Sequence, residues 1–176
     1  MRTTFVTFFV FLGLFYGSSA CAQETRDYII TSLYSKQYGE VSFDAHKAFL
    51  VGFRVDKKHL QAKYDPVQLL GFYCDSQFYK ALNLSEFSDK KDVFGKELIT
   101  GYFSLYQLSK KFVLKVQGEL IELTKWNYKE RLSGLQKKVP GLKVNWDMYA
   151  FKTTDLMQAV TQANQTVKQF VVKNSR

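Results

Sequence analysis

Between residues 98 and 123, hydrophobic and polar positions alternate in three short runs, broken at Lys110-Lys111 and at Gln117-Gly118. Phe103 and Leu105 fall on one side, with Tyr102, Ser104 and Tyr106 on the other; Phe112, Leu114 and Val116 then share a face. A period of two marks a strand with one buried face, because successive side chains leave a pleated backbone in opposite directions. Gln117-Gly118 suits a tight hairpin turn, since glycine takes positive φ without a Cβ clash. The stretch reads as scaffold around which the rest of the chain is organised.

Upstream the same period recurs in shorter pieces. Strands are expected over 28–34, 38–43, 49–55 and 60–64, with turns at 35–37 and 56–58, and Asp65-Pro66 ends any ladder because proline has no amide proton to give. A single helical turn fits 66–70, starting at its proline, and two strands, 71–74 and 77–82, flank Asp75-Ser76. Residues 83–97 are polar and charged with scattered Phe87, Val93 and Phe94, and read as a loop. After Leu123 the period lengthens. Asn127 followed three residues later by Glu130 has the form of a capping box, and Trp126, Leu132, Leu135 and Val139 then line one side of a helix over about 126–138 that Pro140-Gly141 terminates. A second helix over about 154–171 places Leu156, Ala159, Val160, Ala163, Val167 and Phe170 on one face, with Gln158, Gln162, Gln165 and Lys168 on the other. An amphipathic helix this regular is expected to pack on a sheet; its glutamine- and threonine-rich polar face is a poor match for a membrane surface.

The fold expectation is therefore α+β: a mainly antiparallel sheet or partly closed barrel of about seven to nine short strands, followed by two C-terminal helices packed on it. Composition agrees. The chain has 176 residues, 16 Phe and 11 Tyr against 2 Pro, and 46% hydrophobic content. That is enough for one domain with a sizeable core and suits strands better than disorder. The N-terminus stands apart. Arg2, an uncharged apolar run over 5–15, and Ala20-Cys21-Ala22 after small residues have the three-part pattern of an export signal cleaved before Gln23. The domain expectation is a signal peptide over 1–22 and a single β-rich domain over 23–176. The apolar run is shorter than the roughly 20 residues a membrane span needs, so no span is expected in the mature chain. Cys21 allows a second reading, a bacterial lipoprotein acylated at that cysteine and held at the outer membrane; Ser18 stands where that signal has an aliphatic residue, so soluble export to the periplasm or beyond is preferred.

Charge and chemistry alter this picture little. Removing residues 1–22 takes one basic residue, Arg2, from the 25 and none of the 16 acidic ones, which leaves a net of +8. A basic exported protein meets polyanions readily, yet the lysines fall in isolated pairs and no basic tract interleaves with aromatics, so nucleic acid is not an expected partner. Cys74, the one cysteine left after cleavage, reads as a small core residue rather than a nucleophile. His46 and His59 lie far apart with no C-x-x-C or acidic cluster, so neither a metal nor a cofactor is expected. No nucleophile motif and no glycine-rich phosphate loop is present. Asp65, Asp75, Glu119 and Glu122 near strand ends leave open a carboxylate hydrolase, the enzyme alternative.

The order of short motifs resembles a group of small exported bacterial cell-envelope proteins of uncharacterised function. It runs through Tyr28-Ile29-Ile30-Thr31, Tyr38-Gly39-Glu40-Val41, Tyr64-Asp65-Pro66 with Gly71-Phe72, Gly101-Tyr102-Phe103-Ser104-Leu105-Tyr106 and Gly118-Glu119-Leu120. The likeness covers roughly 26–170 and departs from the group's pattern at Tyr34-Ser35-Lys36-Gln37 and at Val139-Pro140. It implies antiparallel strands closed by C-terminal helices, and export; it carries no catalytic or ligand residue. The functional expectation is a non-enzymatic envelope module that binds a protein or an anionic surface. Its candidate contact residues are Tyr102 and Tyr106, because tyrosine offers broad apolar contact with a polar tip.

Overall fold

The computed structural model describes residues 26–84, 91–139 and 141–174; the signal-like segment and Cys21 lie outside them. Eleven strands precede two helices: β1 (Tyr28–Thr31), β2 (Lys36–Tyr38), β3 (Glu40–Phe43), β4 (Val51–Arg54), β5 (Ala62–Tyr64), β6 (Leu69–Cys74), β7 (Gln77–Leu82), β8 (Val93–Ile99), β9 (Phe103–Leu108), β10 (Lys111–Val116), β11 (Glu119–Leu123), α1 (Tyr128–Lys138) and α2 (Thr153–Asn174). Eight strands form one antiparallel sheet in the order β11-β10-β9-β8-β7-β6-β1-β2, and β3-β4-β5 form a second. The architecture is α+β, and the large sheet is open, with β11 and β2 at its edges.

The meander from β6 to β11 follows from turn chemistry. At Asp75-Ser76 both residues have positive φ, 49° and 61°, and at Gln117-Gly118 the values are 50° and 88°. Two consecutive positive-φ residues make the turn whose twist matches that of paired strands, so adjacent runs pair in register: Phe72 opposite Tyr79, Leu114 opposite Leu105 and opposite Ile121.

One face of the large sheet is covered twice. At the β9–β11 end, Phe103, Leu105, Phe112, Leu114, Val116 and Leu123 pack under α1 and α2, which bring Leu132, Leu135, Leu156, Ala159, Val160, Ala163 and Val167. At the β1–β6 end, Ile29, Leu69, Phe72 and Cys74 pack under the small sheet through Val41, Val51 and Phe53, joined by Phe94 of β8. So the C-terminal helices cover the Phe103–Leu105 face, and the face bearing Ser104 and Tyr106 looks the other way.

Several expectations needed correction. Residues 93–97 are not loop: β8 starts at Val93, and Phe94 is fully enclosed. The expected strand over 38–43 is two, β2 and β3, in different sheets. The chain swings at Gly39, where an added Cβ would lie 2.7 Å from the Phe53 ring. The turn expected at 35–37 is largely β2, whereas the single helical turn expected over 66–70 is present one residue earlier, where the Leu69 N–H that opens β6 donates to the Asp65 carbonyl at 3.2 Å. Asn127 makes no forward cap; its Oδ1 accepts from the Thr124 backbone N–H at 2.7 Å and its Nδ2 donates to the Glu122 carbonyl. It therefore closes the β11–α1 corner, which turns the neighbouring Trp126 out to 91% exposure instead of onto the helix's packing side. Phe170 is 40% exposed and lies across Gly141, whose Cβ position its ring occupies.

Candidate functional site

The uncovered face of the large sheet holds a concavity. Tyr106 and Val113 on this face are buried although no helix lies over them; they pack with Leu82, Leu84, Val93, Leu108 and Leu120. A cavity of about 440 Å³ is lined both by Pro66, Val67 and Leu70 at the start of β6 and by Lys115, Gly118 and Leu120 of β10–β11, with Lys80, Leu82, Asn83, Asp92 and Tyr106 also in its lining. Strands four places apart in the sheet order line one hollow only if the sheet bends strongly around it. Volumes of this size hold small-molecule ligands.

Register sets the surroundings of Lys80, which sits directly between Gly71 of β6 and Gly95 of β8. A Cβ on Gly71 would meet the Phe78 ring at 2.8 Å, and one on Gly95 would meet Leu82 Cδ1 at 2.6 Å. Phe78 and Leu82, the same-face neighbours of Lys80 on β7, thus lie over the two glycines and flank the half-buried Lys80. Among the described residues, neither Lys80 nor Lys115 has an ion-pair partner, whereas Asp92 is already engaged.

Tyr106 belongs to this floor. Burial, and next the Glu97 carboxylate opposite it, push its phenol above the ordinary value, while a side-chain hydrogen bond with Ser104 acts the other way. Its hydroxyl therefore stays protonated throughout the neutral range. Tyr102, the other candidate contact residue, lies just before β9; it is 40% exposed, against 4% for Tyr106. Tyr102 accepts a hydrogen bond from Gln117 Nε2 at 2.6 Å and packs edge-on against Phe103. The two tyrosines share a side of the strand, as alternation requires, but one lies at the hairpin end and the other inside the hollow.

A second tyrosine cluster forms that single-strand alternation did not reveal. Tyr28 stands opposite Tyr38 on one side and Tyr73 on the other. Tyr28 and Tyr73 stack at 5.4 Å, and Lys36 Nζ sits 3.6 Å from the Tyr28 ring centre. Both faces of the Tyr28 ring are thus occupied from within the chain, by a cation–π contact and a stacked ring. This cluster ties down the β1–β2 edge and encloses the Tyr28 ring, while Tyr38 stays 54% exposed.

The carboxylates singled out from sequence are dispersed. Asp75 and Glu119 are exposed, Asp65 is half-buried in the turn before β6, and Glu122 pairs with Lys111 at 3.2 Å. A pairing not anticipated is Asp27 with Asp75. Burial, and next the Asp75 charge, push Asp27 above the usual carboxylate range. The pair stands beside Cys74 and lines no part of the hollow. Cys74 is buried, and its thiol is pushed up to about 12 by burial, then by Asp27 and Asp75. Thiolate is the reactive form, so this is an inert packing cysteine. Alkylation near pH 8 should proceed at least about tenfold more slowly at Cys74 in the folded protein than in urea, followed on the Cys74 peptide by mass spectrometry; equal rates would place the thiol in solvent. Among the described residues no group of three or more His, Cys, Asp or Glu side chains is arranged to hold a metal ion, and no helix is long and apolar enough to cross a membrane. Against this geometry, comparison of the chain with protein-family models, curated proteins and solved structures finds no match.

Proposed function

We propose that the chain is an exported, non-enzymatic binding module of the cell envelope that takes its ligand in the hollow of the large sheet. The observation that carries this reading is the cavity itself: about 440 Å³, walled by Leu70, Leu82 and Leu120, with Lys80, Lys115 and Asp92 as the charged side chains of its described lining. A concave surface with apolar walls and a few charged and polar groups has the make-up of a ligand site. The signal-like N-terminus supports the location, and the basic balance fits an anionic partner.

The reading favours the hollow over the hairpin end as the place of contact. Leu70→Trp fills the cavity from its wall without touching the helix-covered core. The purified full chain should keep its fold by circular dichroism yet lose capture of envelope extract components that the unaltered chain retains. Tyr102→Ala should leave that capture unchanged. The reverse pattern, loss with Tyr102→Ala and retention with Leu70→Trp, moves the contact to the hairpin end and ends the cavity reading.

A further inference from the structure

Apart from the hollow, and independent of what fills it, the β4–β5 connection has the build of a contact tip. Every residue from Val55 to Lys63 is exposed. Leu60 is 96% exposed and Val55 59%, so an apolar side chain stands in water at each end of the turn. The turn between them is fixed. Asp56 Oδ1 accepts from the Lys58 N–H at 2.7 Å and from the His59 N–H at 3.2 Å, and His59 Nδ1 lies 2.7 Å from the same oxygen. In such an Asx turn a side chain stands in for a backbone acceptor, which holds the tip in shape with no packing around it.

Charge gives the tip its sign. The carboxylates on either side are already engaged. Glu40 accepts from Arg54 Nε at 2.8 Å and Nη2 at 2.6 Å, and Asp56 closes the turn. Asp27, at the foot of the tip, accepts from the backbone N–H groups of Val41 and Asp75, and with Asp75 it stands beside Cys74. Lys57 and Lys58 are left over: among the described residues neither makes an ion pair. Place then indicates the occupant. Arg54, which leads into the tip, lies against Gly39, whose N–H donates to the Asp27 carbonyl at 3.1 Å. The signal-like residues 1–25 join the fold at Arg26, and so at the foot of this tip. In the acylated reading, Cys21 precedes Arg26 by five residues, at most about 18 Å of chain.

We propose that the β4–β5 tip docks on an anionic lipid surface, with Val55 and Leu60 entering the headgroup boundary and Lys57 and Lys58 meeting lipid phosphates. Attachment of this kind draws jointly on buried apolar area and on attraction to anionic lipid. A projecting tip suits a surface that yields around it, whereas a second copy would set these lysines against their own kind. The assignment rests on the export part of the reading above, through the place of Arg26, and not on the cavity.

The test gives the purified full chain a reporter, Leu60→Trp, and vesicles with brominated acyl chains, made of phosphatidylcholine with or without phosphatidylglycerol. Bromine quenches the added emission only where the tip reaches the acyl boundary, even if another segment holds the chain on the vesicle. The expected result is quenching on the anionic vesicles and none on the neutral ones. Lys57→Gln with Lys58→Gln should raise the anionic lipid needed for half-quenching at least about tenfold. Lys110→Gln with Lys152→Gln, an equal loss of charge elsewhere, should leave it unchanged. Equal weakening by that control pair reduces the effect to net charge and overturns the proposal, as does equal quenching on neutral vesicles. Absence of quenching on anionic vesicles overturns it too, whether or not the chain floats with them. A blue-shifted emission without lipid that reverses on dilution would assign the tip to contact between copies instead. Quenching is read on the purified chain, so an error in the export reading, seen as failure of the chain to leave the cell, shows itself apart from an error in the tip.

Discussion

Phe72→Ala lowers the stability of the protein by about 3–5 kcal/mol, the usual range for removing a fully enclosed phenylalanine. Phe72 has no exposed surface and is the joint between the two sheets. Its ring stacks on Tyr79 at 4.9 Å and meets Phe94 edge-on at 5.0 Å and Phe43 at 4.8 Å. Those partners come from β7, β8 and β3, so one ring bridges three neighbours across the sheet-to-sheet seam. Truncation to alanine removes the transfer free energy of the ring and leaves a cavity that Tyr79 and Phe94, held by their own strands, close only in part. Against a typical total of 5–15 kcal/mol, such a loss is a large share. Urea unfolding followed by circular dichroism measures it, and Trp146 fluorescence measures the helix-covered end independently, because that indole is buried in the other core cluster. Coincident transitions mean that the two clusters unfold as one unit. A loss below about 1 kcal/mol would show that the small sheet is not fastened through Phe72.

How far the sequence leads can be judged from the same residues. Period alone groups Phe103 with Leu105 and Phe112 with Leu114 and Val116, and sets Leu156 to Val167 on the packing side of α2, but it does not say which sheet face the helices cover. The two-residue turns at Asp75-Ser76 and Gln117-Gly118 announce the hairpins. What period cannot show is where one run of alternation changes sheets. Residues 38–43 keep strict alternation across Gly39, and only the Phe53 ring on the far side of the chain reveals why a glycine is there. β8 escapes notice for a related reason. Its concave side carries Val93 and then Gly95 and Glu97, and its covered side Phe94 and then Lys96, so no apolar alternation is sustained before Leu98. The hollow is less legible still. Lys80 and Lys115 look like ordinary surface lysines, and only pairing shows that Gly71 and Gly95 flank Lys80 and make way for Phe78 and Leu82. Tyr106 and Tyr102 belong to the same alternation class, yet the one is buried and the other stays at the hairpin end. Single-strand pattern gives faces; register and curvature make sites.

Asn164→Ala is expected to cost about 2–4 kcal/mol, although the residue is polar and only half-buried, because it supplies two hydrogen bonds to one strand residue. Its Oδ1 accepts from the Phe103 backbone N–H at 2.8 Å, and its Nδ2 donates to the Phe103 carbonyl at 2.9 Å. The need arises in the ladder. β8 and β9 lose register between Glu97 and Ile99, and the chain turns at Thr100-Gly101-Tyr102. Phe103 therefore begins β9 with no strand residue opposite it on the β8 side. In an antiparallel ladder a residue's N–H and C=O point the same way, so both groups of Phe103 face that gap, and the primary amide of Asn164 fills it with the donor and acceptor a strand residue would have offered. Gly101 permits the approach, since a Cβ there would lie 2.7 Å from Asn164 Nδ2. The bond thus fastens α2 to the sheet at the strand whose side chains form both the helix-covered core and, through Tyr106, the floor of the hollow. Asn164→Asp separates this account from simple packing. The carboxylate keeps the acceptor, loses the donor and sets a charge against the Phe103 carbonyl, so it should destabilise at least as much as alanine despite its near-identical shape. Urea midpoints compare the variants, and hydrogen exchange at the Phe103 amide reads the bond directly. An aspartate variant as stable as the unaltered chain, with Phe103 still protected, would mean that the amide is a bystander and that apolar contacts alone hold α2 on the sheet.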